Sequence, residues 1–135
     1  MNRTGPIIII EDDPEEAMLL RELLQNITTK YEIIILPQSN GSIQFLTECE
    51  NPFMILSSIN LKGLDGFQLR NLILSDPGLA RKCTPYIFYA AHSSDEMLAR
   101  VSELQAGGYF HDINDYDQLS NRLSSIISYW EQSAV

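Results

Sequence analysis

An α/β fold, with a parallel sheet covered by helices on both faces, is what this sequence predicts. Three observations carry that prediction. Ile7–Ile10 is a run of four β-branched residues, too uniformly apolar for a strand with one wet face. Further short apolar runs alternate with stretches of helical spacing along the whole chain. No internal repeat, low-complexity tract or linker interrupts the alternation. The expected organisation is therefore one domain spanning residues 1–135, long enough to bury about two-thirds of the surface of its unfolded chain.

The elements follow in order. After the first strand, Asp13-Pro14-Glu15-Glu16 is a helix start: an N-cap, a proline at the first helical position and two acids at the positive helix end. Ala17, Leu20, Leu23, Leu24 and Ile27 make one apolar face of a helix ending near Thr29. Tyr31–Leu36 reads as a second strand, and Pro37–Ser42, with Asn40-Gly41, as a loop. Ile43, Phe45, Leu46 and Cys49 mark a short second helix, which Asn51-Pro52 breaks. The run from Phe53 to Ser58 is the third strand. Phe67, Leu69, Leu72 and Ile73 mark a third helix, stopping before Asp76-Pro77-Gly78, and Leu79–Thr84 reads as a polar connection. Pro85 introduces a fourth strand, Tyr86–Tyr89. Ser93 stands three residues before Glu96 as in a capping box, and Met97, Val101 and Leu104 form the inward stripe of a fourth helix closed by Gly107-Gly108. Tyr109–His111 is a short fifth strand. Tyr116, Leu119, Leu123, Ile126, Ile127 and Trp130 repeat at helical spacing almost to the end of the chain.

Composition narrows the function. Eighteen acids against nine bases give a net charge of -9, which opposes binding to a phosphate backbone, so no nucleic-acid contact is expected. No apolar run has the length of a membrane span and residues 1–6 lack the core of a signal peptide, so a cytoplasmic protein without membrane contact is expected. Cys49 and Cys83 show no metal-ligand spacing and read as reduced thiols. His92 and His111 have no partner ligand at metal spacing. The chain carries no glycine-rich phosphate loop and no nucleophile elbow.

The stretch FMILSSINLKGLDGF, from Phe53 to Phe67, has the form of a buried strand delivering a residue into a loop. In open α/β sheets ligands bind at the carboxyl ends of strands, so Ser58 should face a site. With IIIIEDDPEEAMLL and NPFMILSSINLKGLDGF, essentially the whole chain resembles the receiver domains of bacterial two-component response regulators. That resemblance implies a three-layer αβα architecture, a (βα)5 chain whose five-stranded parallel sheet has the flavodoxin-like order 2-1-3-4-5. It also implies a phosphoryl-accepting aspartate, Mg²⁺ held by an acidic pair, a switch hydroxyl after the fourth strand and a lysine after the fifth.

Carried over residue by residue, the acidic pair falls on Glu11 and Asp12, with the backbone near Asn60 as a further oxygen ligand. The phosphoacceptor position falls on Ser58; a register shifted back by one falls on Ser57. The switch hydroxyl falls on Ala90 and the lysine on Asp112, followed by Ile113. Tyr109 matches the aromatic switch position, and Asp65 belongs to the loop before the third helix.

An unactivated serine is a poor nucleophile, so the expected protein is a phosphorylation-independent, non-enzymatic receiver-like domain acting through protein–protein contacts. No cofactor is required, and Glu11 and Asp12 form a weak or vestigial Mg²⁺ site. A sensor kinase, an output protein or a second copy of the chain are the implied partners. Tyr109, His111 and Tyr129 form the expected interaction face. The rival readings are a regulator phosphorylated at Ser58, a metal-dependent phosphohydrolase of related topology and a flavin-binding protein. Glu11-Asp12-Asp13 would repel the phosphate of a flavin.

Overall fold

A computed structural model describes residues 4–111 and 115–133. Its five strands are β1 (Ile7–Ile10), β2 (Ile33–Leu36), β3 (Met54–Ser58), β4 (Tyr86–Ala90) and β5 (Gly108–His111). They are all parallel, in the order β2-β1-β3-β4-β5. Six helices occur among the described residues: α1 (Pro14–Ile27), α2 (Ser42–Glu48), α3 (Gly66–Leu74), α4 (Pro77–Lys82), α5 (Asp95–Glu103) and α6 (Tyr116–Ser133).

Strand alternation sorts the sheet into two cores. Ile7 and Ile9 join Leu20, Leu24, Leu123 and Ile127 beneath α1 and α6, whereas Ile8 and Ile10 join Leu46, Leu69, Ile73 and Val101 beneath α2, α3 and α5. Every residue of β1 is fully buried, as a run of β-branched residues requires in a sheet covered on both faces. No helix among the described residues is long and apolar enough to cross a membrane.

Several local expectations are corrected. The second strand begins at Ile33, two residues late, because Tyr31 leaves the ladder to stack on Phe53 at 4.2 Å. The segment read as a polar connection contains α4, which Asp76 caps through the amides of Gly78 and Leu79, with Pro77 in the first turn. Leu72 lies outside the core, 47% exposed. Tyr116 is equally exposed, its hydroxyl accepting a hydrogen bond from Asn26. The cap of α5 is Ser94, whose Oγ accepts from the Met97 amide at 3.1 Å, and not Ser93. The reciprocal capping box belongs instead to α3, where Asp65 and Gln68 exchange bonds of 2.8 and 2.9 Å.

Glycines do not close α5 either. The helix stops at Glu103, and the left-handed turn after it is made by Gln105, at φ +55°. Gly107 serves packing: a β-carbon there would come within 2.8 Å of the Trp130 ring.

Candidate functional site

The carboxyl ends of β1, β3 and β4 open into a cleft of about 430 Å³, lined by Glu11, Asp12, Asp13, Glu16, Ser58, Asn60, Lys62, Tyr89 and Ala90 among others. Ser58 closes β3 and is 5% exposed. Its Oγ accepts the Asn60 amide at 3.2 Å. Ser57 is absent from the lining and fully buried, with its hydroxyl donating to the Ser58 carbonyl at 3.1 Å. The period of two along β3 therefore selects Ser58 as the residue at the cleft. Directly beneath it, Gly66 lets α3 start against the strand end; a β-carbon there would lie 2.3 Å from the Ser58 carbonyl oxygen.

Glu11 follows β1 and is 2% exposed. Its Oε1 accepts the Tyr89 hydroxyl at 2.8 Å and its Oε2 accepts the Asp13 amide at 3.1 Å. Burial pushes the Glu11 carboxyl up to about 7; Glu16 beside it adds to the rise, while the Asp13 amide and Tyr89 hydroxyl oppose it. Tyr89 is driven well above its usual range, by burial first and then by the charge of Glu11.

Asp12 Oδ2 accepts the Lys62 amide at 2.7 Å, and the Lys62 carbonyl accepts the Ser39 hydroxyl at 3.0 Å. Asp13 caps α1 through the Glu15 amide at 2.9 Å. The loop after β3 is thus pinned to the acidic turn by backbone groups.

Ala90 presents a buried methyl at the end of β4. Asp112 and Ile113 lie outside the described residues. On β5, Tyr109 is half-buried, its hydroxyl 3.5 Å from the His92 carbonyl and its ring 5.8 Å from the exposed His111 ring. Tyr129 on α6 is 61% exposed and meets Trp130 edge to face. The structure thus gathers Glu11, Asp12, Ser58, Asn60 and Ala90 at one cleft and leaves Tyr109, His111 and Tyr129 away from its lining.

Sequence reasoning missed two participants in the cleft and a buried cation outside it. Tyr89 had a signal, since a tyrosine in a buried strand must find a partner for its hydroxyl. The Lys62 amide had none. Arg70 was hidden in the polar stripe of α3; it is 2% exposed and donates to the carbonyls of Leu104 and Gln105, just past the end of α5, at 3.0 and 3.1 Å. Its guanidinium lies 4.6 Å from the centre of the Tyr86 ring.

A parallel sheet in this order, with an acidic turn and a loop meeting at its carboxyl edge, defines a flavodoxin-like fold. The chain belongs to the response regulator receiver domain family, whose model matches residues 7–124. No curated protein matches it. Among solved structures it is similar to the phosphorylated cyanobacterial phytochrome response regulator RcpA, with TM-score 0.83 and 22% identity over 100% of this chain and 98% of the other. The Mn²⁺-bound form of response regulator Rcp1 gives TM-score 0.80 and 24% identity, covering 94% of each chain. Chemotaxis response regulator CheY4 of Vibrio cholerae gives 0.75 and 15%, over 91% of this chain and 98% of the other. At these identities the likeness is one of fold. Receiver domains are generally signalling modules rather than enzymes, and members can hold Mg²⁺ or Mn²⁺ at the acidic edge.

The donor set here does not fit such an ion tightly. Both oxygens of Glu11 and one of Asp12 already accept hydrogen bonds, and Ser58 supplies a hydroxyl and no negative charge. Among the described residues, no group of three or more His, Cys, Asp or Glu side chains is arranged to hold a metal.

Proposed function

We propose that this chain is a receiver-like domain in cytoplasmic, phosphorelay-derived signalling that works without phosphorylation, by binding other proteins. The observation that carries this reading is the chemistry at the end of β3. Ser58 offers a hydroxyl whose oxygen is engaged by the Asn60 amide, beside Ala90, which has no group to hold a phosphoryl oxygen. A phosphoryl group on Ser58 would also sit in a cleft lined by Asp12, Asp13 and Glu16, with Lys62 the one cationic side chain among its described lining. Binding then falls to the face built from α5, β5 and α6, where Tyr129 is exposed and Tyr109 and His111 stand on an edge strand. A sensor kinase, an output protein or a second copy of the chain suits this face. Metal binding at Glu11 and Asp12 is weak and unnecessary for that role.

The test is incubation with Mg²⁺ and a small acyl phosphate or phosphoramidate donor, read by mass spectrometry. The protein is expected to stay unmodified. An adduct that survives Ser58→Ala would overturn this account of the site; one abolished by that change would establish a regulator phosphorylated on Ser58.

A further inference from the structure

We infer that Tyr89 is a specificity-determining residue that weakens the hold of the acidic cleft on divalent cations by clasping Glu11 across the end of β3. This deepens the function proposed above and rests on it, but it concerns a residue that a comparison of motif positions does not reach.

β3 lies between β1 and β4, with Ser57 in register with Ile10 and Ser58 in register with Tyr89. The Tyr89 hydroxyl therefore passes beyond the neighbouring strand to reach Glu11 Oε1, and at 2.8 Å it does so as a short bond between two buried groups. The tyrosine is not free to swing aside. Its ring is 1% exposed and stacks on Phe110, with centroids 5.3 Å apart and planes 14° from parallel.

A hydroxyl hydrogen directed at Oε1 brings positive charge to the oxygen that a cation would need, and the Asp13 amide does the same at Oε2. Drawing Glu11 toward a metal would break this short hydrogen bond between two buried groups. The Lys62 amide holds Asp12 Oδ2 in the same manner. Cation and clasp compete for one carboxylate. Restoring a carboxylate at Ser58 alone therefore leaves the competition in place.

Calorimetric titration of Mn²⁺ into the parent protein, Tyr89→Phe, Ser58→Asp and the Ser58→Asp/Tyr89→Phe pair tests this. The paired variant is expected to bind about tenfold more tightly than Ser58→Asp, the scale of a buried hydrogen bond to a charged group that metal binding no longer has to break. Equal affinity of those two proteins overturns the proposal. Tyr89→Phe removes one oxygen and keeps the stacked ring, and a melting curve checks each fold.

A second measurement needs no substitution at Ser58. The amide NMR signals of Asp13 and Lys62 should broaden at lower Mn²⁺ concentrations in Tyr89→Phe than in the parent; the same onset in both overturns the proposal. Failure here is distinct from failure of the proposed function. A phosphodonor adduct on the parent refutes that function, whereas Mn²⁺ binding that ignores Tyr89 refutes only the clasp.

Discussion

The acidic cleft and the α5-β5-α6 face treat their polar and aromatic groups in opposite ways. In the cleft, Glu11 is satisfied by Tyr89 and Asp13, Asp12 by the Lys62 amide, and Ser58 by the Asn60 amide, all from within the chain. Across the molecule, Leu98 is 46% and Tyr129 61% exposed, and both stand in water. A site whose Glu11, Asp12 and Ser58 oxygens already accept hydrogen bonds from the chain has fewer groups left with which to recognise a ligand. A face that leaves large side chains in water still gains by covering them. The difference is what the proposed function predicts for a receiver domain in which recognition does not depend on chemistry at the cleft.

Arg70 underlies the second region and gives the largest expected effect. Arg70→Ala removes the donor to two carbonyls beyond α5 and opens a void against Tyr86, so a loss of about 3 kcal/mol in urea unfolding is expected. Hydrogen exchange should quicken first at α5 and β5 while the amides around Glu11 stay protected. Equal loosening of both regions would mean that they open as one unit, and the contrast between them would lose its energetic basis.

The next effect belongs to the cleft. Glu11 rises from 4.5 to about 7 on folding, so in that interval the folded state holds a proton that the unfolded chain has released. The stability this contributes is complete below about 4.5 and disappears as pH rises through about 7. Glu11→Gln keeps a side chain of the same shape and cannot titrate. The decline in melting temperature between pH 5 and pH 8, roughly the interval in which a group so shifted changes charge, should be shallower in the variant than in the parent. Parallel pH profiles would show that the buried carboxyl is not the group responsible.

The smallest change in stability is expected at the face. Tyr129→Arg alters an exposed position, so the thermal midpoint should stay within a few degrees of the parent, while self-association or partner binding weakens. Sedimentation velocity and a melting curve decide it. Unchanged association, or a collapsed midpoint, would remove Tyr129 from the interaction surface.

Legibility in the sequence was uneven for physical reasons. The strands could be read because a parallel sheet buried on both faces leaves long β-branched runs such as Ile7–Ile10, and α1 because Asp13-Pro14 is a local start signal. The helix α4 was missed because six residues, Pro77–Lys82, carry too few turns to show a period. Its cap, Asp76 before Pro77, was the available clue. At α5 the adjacent serines Ser93 and Ser94 both satisfied local cap rules, and only the backbone path selects one.

The positions of Glu11, Asp12, Ser58 and Ala90 at one edge followed from strand order, because each ends a strand or adjoins its end. Sequence alone thus determined the parallel α/β layers, the acidic turn and the serine that closes β3. Tertiary structure decided what those groups do. The Tyr89–Glu11 bond joins residues 78 positions apart and the Lys62–Asp12 bond residues 50 apart, while Arg70 reaches carbonyls 34 and 35 residues away. Such partners are chosen by which strand ends and helix ends the fold brings together, and a hydrogen bond of this range has no periodicity or local signature in the chain.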